Sequence, residues 1–292
     1  MLGLAPCSNS SDSKTTDAVF QTSPSATGRR GVPLGELTAT QRAAALATVD
    51  AVLSDQGYEQ VVAILAADDV AGESQNSGGF VKFGSDYFRL AFYGTPSVDS
   101  PWTLQFGGHH LAVHVTIGGE TPSISPAFTG AEPMTFTRDG KNYAPMAGEQ
   151  EAVFGLLETL TPTELDAAKI NGVAEMVVGP GNDTGFPAPE GLLVSDLAPA
   201  SQELVRKVIA QWVSDSDPTL SSELLATYES QLAETRIAWS GSTSPDGLNS
   251  YFRVDGPRLW IEYTNTGGRG SSVAHAHTVY RDKTLDYGTG PS

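Results

Sequence analysis

Five histidines in 292 residues, all confined to two short windows, set the problem this chain must solve in folding. Three lie in residues 105–117, Gln-Phe-Gly-Gly-His-His-Leu-Ala-Val-His-Val-Thr-Ile. The other two, His275 and His277, lie in Val-Ala-His-Ala-His-Thr-Val-Tyr-Arg-Asp. Both windows are rich in Val, Ile and Thr with alternating polarity, which reads as strand. Side chains two apart on a strand share a face, so His275 and His277 point the same way. By the same rule His110 shares a face with Ala112, His114 and Thr116. Leu111, Val113, Val115 and Ile117 take the opposite, core-like face together with His109. Imidazole is the commonest protein ligand for Zn, Cu, Fe and Ni, and a pair spaced by one residue on a strand can chelate one ion. The expectation is that the two strands are neighbours and that their histidines converge. The alternative is an ion-free polar or acid–base site, since His-x-His is less specific than a His-Glu-x-x-His helix.

Charge and cysteine usage narrow the partners. Seventeen basic against 34 acidic residues give a net charge of −17, which argues against nucleic acid, whose phosphates need a basic surface. The single cysteine, Cys7, excludes an intramolecular disulfide and any multi-Cys metal site. It follows Leu2-Gly3-Leu4-Ala5-Pro6 and precedes a Ser/Thr-rich run to about Gly31. This resembles the end of a bacterial lipoprotein signal, with Cys7 as the lipidated residue and the polar run as a tether. Pro6 stands where a small residue is usual, and the basic segment and most of the apolar segment of such a signal are missing. The expected organisation is a signal remnant and tether over 1–31 and one globular domain over 32–292. The expected location is secreted or in the cell envelope, on the outer face of the cytoplasmic membrane, with membrane contact only through the lipid.

Local signals place the elements. Thr38 and Gln41 form a capping box for a helix to about Ser54, and Tyr58 to Ala67 reads as a second. Thr161 with Pro162, and Pro199, open further helices. The last of these carries Leu204, Val205, Val208, Ile209 and Trp212 on one stripe to about Ser214. Ser221 to Glu234 adds another. The recurrence reads as shared helix-start chemistry without a repeat of fixed period. Strand-like segments form two blocks: 87–93, 102–106, 109–117 and 123–128, then 237–240, 250–254, 259–264 and 273–281, with 264–272 as a polar hairpin loop. Neither block has an obvious covering layer of its own. The fold class expected is α+β, with a mostly antiparallel sheet built from strands of both halves and helices packed against it.

Several polar residues accompany the histidines. Glu262, on the strand expected beside the 275–277 pair, could act as a ligand or general base, with Asp282 the next choice. Arg281 could clamp a substrate carboxylate or phosphate. Its alternative is an ion pair with Asp282 or Asp286 that shapes the C-terminal turn. No Gly-x-Ser-x-Gly elbow and no phosphate loop is present.

These residues also carry a resemblance. Gly107-Gly108-His109-His110-Leu111, Thr129-Gly130-Ala131-Glu132-Pro133, Tyr251-Phe252-Arg253-Val254, Ile261-Glu262-Tyr263 and His275 to Asp282 with Asp286-Tyr287-Gly288 closely resemble the DUF3500 family. It is a domain of unknown function in bacterial secreted or lipoprotein-type proteins and in some eukaryotes. The resemblance runs from about residue 35 to the end and implies no activity. It marks His109, His110, His275, His277, Arg281 and Asp282 as family-pattern positions, whereas His114 falls where a residue other than histidine is common.

The sequence reading is therefore a His-rich cleft holding one transition metal ion (Zn, Cu or Fe). The ligands are His110, His275 and His277, with His114 as a further candidate, and a position is left for water or O₂. His109, Glu262 and Arg281 are the candidate catalytic residues of a metal-dependent hydrolase or oxidoreductase. The rival is a non-catalytic surface lipoprotein that binds a metal or small ligand.

Overall fold

A computed structural model describes residues 30–75, 82–118, 122–180, 185–267 and 274–288. Cys7, and most of the loop expected over 264–272, lie outside them. The described residues form one ten-stranded antiparallel sheet with six α-helices, and strands from both halves of the chain meet in it.

The first half runs β1 (Val32–Pro33), α1 (Ala39–Asp50), α2 (Asp55–Gln75), β2 (Arg89–Tyr93), β3 (Trp102–Gly107), β4 (Leu111–Ile117) and β5 (Ala127–Ala131). A small hairpin, β6 (Phe136–Arg138) and β7 (Lys141–Tyr143), leads to α3 (Ala147–Thr159) and α4 (Pro162–Ala168). The second half runs β8 (Leu192–Leu193), α5 (Pro199–Val213), α6 (Pro218–Ser230), β9 (Arg236–Ser240), β10 (Ser250–Asp255), β11 (Leu259–Gly267) and β12 (Ala274–Asp282). Sheet order is β1-β2-β3-β4-β5-β12-β11-β10-β9-β8. That order reads the same from either edge, so the two halves are related by a local twofold between β5 and β12.

The duplication extends to individual bonds. Gly31 and Gly191 both sit at positive φ, 98° and 93°, where a Cβ would strike the Leu90 and Ile237 carbonyl oxygens. Arg89 Nη1 donates to the Gly31 carbonyl at 2.8 Å, and Arg236 Nη1 to that of Gly191 at 2.7 Å. Leu34 N–H binds Phe88 O, and Val194 N–H binds Thr235 O, each at 2.8 Å. The two interhelical corners then meet: Ser54 Oγ donates to Ser214 O at 2.6 Å and Ser54 N to Asp215 O at 3.0 Å. The sequence shows no fixed period because α2 has 21 residues and α6 has 13, so the spacing between equivalent positions changes along the chain.

Helix starts follow local chemistry. Thr38 and Gln41 form the expected box, and Thr161 with Glu164 forms another. The stripe on α5 buries Val205, Val208, Ile209 and Trp212. The sequence reading places no helix over α3, which has no side-chain cap, and ends the second helix at Ala67, whereas α2 runs on to Gln75. The strand expected over 123–128 is displaced to β5. Ser123 makes only an isolated bridge to Thr116, and Pro126 has no N–H to give a ladder.

The sheet faces differ. Ile261, Tyr263, Ala276 and Tyr280 pack with α3, α5 and α6, while Leu111, Val113 and Val115 pack with α1 and α2. On the far face Ala112, Phe128, Trp260 and Val279 are covered by Met176, Val177, Val178 and Phe186. This covering segment, joining α4 to β8, lies against the same face as the histidine pair. No helix among the described residues is long and apolar enough to cross a membrane.

Candidate metal centre

β4 and β12 are not neighbours, contrary to expectation: β5 lies between them. The histidines meet across it because of one residue. Gly130 is the register partner of His277, and a Cβ there would stand 3.0 Å from the His277 ring and 3.1 Å from the His110 ring. The absence of a side chain gives both rings the space above β5. Gly130 N–H also donates to the His110 carbonyl at 2.8 Å, tying the β3–β4 turn to β5.

That turn presents His109 and His110. Gly108 N–H binds Leu111 O at 2.8 Å, and a Cβ on Gly108 would fall 2.5 Å from the Phe88 ring, so the turn packs tightly against the core. His109 lies outside the strand. It does not point away from His110; the two ring centroids are 3.9 Å apart.

On β12, His275 and His277 share a face as expected, and their Nε2 atoms are 3.1 Å apart. The His110 ring lies 5.7 Å from that of His275 and 5.4 Å from that of His277. One ligand atom from each of His110, His275 and His277 falls within 4.8 Å of the others, and Asp68, His109 and His110 satisfy the same test. The structure therefore brings four histidines into one cluster.

Two carboxylates that the sequence reading missed flank it. Asp68 of α2 is buried, accepts from Gly84 N–H at 2.7 Å through Oδ2, and places Oδ1 3.3 Å from His109 Nδ1. Glu175, in the covering segment, lies 3.7 Å from His277 Nδ1 and accepts from Thr264 Oγ1 at 3.3 Å. Burial raises the Glu175 pKa, but His277, the Met176 N–H and the Thr264 hydroxyl together outweigh it and the net shift is downward. Glu175 thus stands on the Nδ1 side of His277 while Nε2 faces His275 at 3.1 Å, the side on which carboxylates support histidines around bound metals. The Asp68-Asp69 pair in an Ala-rich helix was the one available signal; nothing local marks Glu175.

The rings are suited to ligation. Burial, and then the neighbouring His109, His277 and His275, hold the His110 pKa well below its ordinary value. His275 is pushed down to about 4, by burial first and His277 second, with Glu175 opposing. Both are therefore neutral near pH 7 and keep a lone pair for an ion. Two nitrogens each about 2.0–2.1 Å from a zinc ion are compatible with the 3.1 Å between the two Nε2 atoms.

The remaining candidates serve other ends. His114 is fully buried, with Nδ1 2.8 Å from Pro126 O and its ring against Tyr287, and it belongs to neither ligand group among the described residues. Its pKa is pushed down to about 4 by burial. Glu262 is spent as an anchor: its carboxylate accepts from Val177 N, Val178 N, Tyr251 OH and Trp260 Nε1 at 2.7–2.9 Å. It holds the covering segment down and is not in the histidine group. Arg281 takes its alternative role, pairing with Asp286 at 2.6 Å. Asp282 pairs with Arg258 and accepts from Tyr228 OH.

A profile described as "Protein of unknown function (DUF3500)" matches residues 8–289. The chain belongs to the DUF3500 family. No curated protein and no solved structure matches it. The DUF3500 match spans both halves of the duplicated sheet and every residue of the cluster.

Proposed function

We propose that this DUF3500 domain binds one transition metal ion through His110, His275 and His277. The single observation that carries the reading is the set of three converging ring nitrogens, two of them on neutral, buried rings. Three protein ligands leave part of the coordination sphere to an exogenous molecule, which is the pattern of catalytic rather than closed structural sites. A bound ion would supply Lewis acidity if zinc, and electron transfer if copper or iron. The chain's own residues would do the rest. Glu175 orients His277, Asp68 orients His109, and His109, partly exposed beside His110, is placed to take or give a proton.

Elemental analysis of natively purified protein tests the binding. Stoichiometric metal that is lost in a His275→Ala/His277→Ala double variant supports it; metal-free protein with an intact fold removes it. Spectroscopy of the loaded protein separates enzyme from binder, because an exchangeable water favours catalysis and a closed sphere favours storage.

The lipoprotein-like context of Cys7 supports an extracytoplasmic, lipid-anchored placement. Labelled fatty acid should enter the full-length precursor and not its Cys7→Ala form, and equal labelling counts against the anchor.

A further inference from the structure

We infer that the cluster has a second cation position, formed by Asp68 and His109 beside His110, so that the loaded site is dinuclear. This extends the one-ion reading above and rests on the same cluster, with His109 as a ligand in place of the proton-transfer role given to it there.

The Asp68 side chain is only 1% exposed, and among the described residues no lysine or arginine pairs with it. The nearby Arg138 is engaged with Asp69 at 3.2 Å and Glu73 at 3.8 Å. A carboxylate withdrawn from water needs compensating positive charge. Within reach, the polar contacts are one backbone N–H on Oδ2 and His109 Nδ1 at 3.3 Å from Oδ1, which is long for a charge-assisted bond.

One ligand atom from each of Asp68, His109 and His110 lies within 4.8 Å of the others, so a metal ion held by Asp68 and His109 would give the buried carboxylate its counter-charge. The donor set, one carboxylate oxygen and one imidazole with His110 as neighbour, suits a divalent first-row ion. His110 belongs to both ligand groups, so the two positions adjoin at its ring, in the manner of paired-ion sites that activate water or polarise a substrate from two sides. With the one lone pair of the neutral His110 ring given to the first ion, Asp68 and His109 are the protein ligands of the second.

The experiment is a metal titration of the full chain with Zn²⁺ alone, then Co²⁺ alone, with bound ion counted after desalting. Two ions per chain in the wild type, falling to one in Asp68→Asn and in His109→Gln, is the expected result. Interacting ions in the Co²⁺ form, seen as loss of the single-ion magnetic signal, should vanish in the same variants. One ion in the wild type, unchanged in either variant, overturns the second position and leaves the first standing. No ion in the wild type overturns both. Asp68 also holds the Gly84 N–H, so circular dichroism of each variant is required; if Asp68→Asn unfolds, His109→Gln decides.

Discussion

Gly130 lies opposite His277 in the β5–β12 ladder and gives up its side-chain space to two imidazoles, those of His277 and His110. A Cβ there would also stand 2.8 Å from the Ala276 carbonyl oxygen, which is backbone and cannot swing away. Gly130→Ala should therefore push the rings apart and destabilise the fold by about 1–3 kcal/mol. Metal affinity should fall by roughly tenfold or more, about 1.4 kcal/mol for each factor of ten. Competition against a chelator of known affinity reads it. Unchanged affinity would mean that the rings do not need this spacing to hold an ion.

Glu175→Gln addresses the orientation of His277. Glu175 stands 3.7 Å behind His277 Nδ1, and loss of a carboxylate supporting a metal-binding histidine typically costs about 10–100-fold in metal affinity. Glu175 is largely exposed, so the change should leave the denaturation midpoint within about 0.5 kcal/mol of wild type. Equal affinity in variant and wild type removes Glu175 from the site.

Glu262→Gln separates anchor from base. The carboxylate meets four donors, and an amide nitrogen would face at least one of them. The variant should lose about 1.5–3 kcal/mol of stability and become more susceptible to proteolysis within residues 170–190, yet retain full metal content. Loss of metal at unchanged stability is the outcome that restores Glu262 to the centre.

Glu149→Gln gives a pH-dependent effect. Glu149 lies on α3, takes a hydrogen bond from Gln60 and is 1% exposed, and burial pushes its carboxyl up to about 7. Asp215, beside it at the corner after α5, is raised well above its ordinary value by burial and then by Glu149. A folded-state pKa above the unfolded one means that the native protein keeps a proton the unfolded chain has released. That stabilisation is complete below about pH 4.5 and declines as pH rises to about 7. The glutamine variant holds the neutral form throughout. It should match wild type near pH 4.5 and exceed it by roughly 2–3 kcal/mol at pH 8. Urea midpoints at the two pH values measure this, and an identical difference at both would exclude ionisation of Glu149 as the cause.

What could be read from the residues was what local chemistry decides. Thr38 with Gln41, and Pro162 and Pro199 at helix starts, place helices because a cap or a proline acts on its own turn. The shared face of His275 and His277 follows from strand geometry alone. The order of strands does not, since β5 enters between β4 and β12 through contacts made far along the chain. Asp68 reaches His109 only because α2 continues past Ala67. Glu175 arrives on a Gly/Pro-rich connection whose path is set by Glu262. His114 shares the alternation of His110 and yet lies deeper along β4, where Pro126 and Tyr287 occupy it.

The local twofold gives the molecule its own reference point. Gly256 N–H binds Leu259 O at 2.8 Å, as Gly108 N–H binds Leu111 O, so Arg258 occupies in the second half the place of His110 in the first. There the guanidinium closes on Asp282, with Tyr228 and Tyr280 sealing the pair from behind. One backbone plan thus ends in a locked ionic latch at one pole and an imidazole nest at the other. Any chemistry belonging to the nest should be missing from its twin, and moving histidines onto the latch would show how much of it the shared scaffold provides.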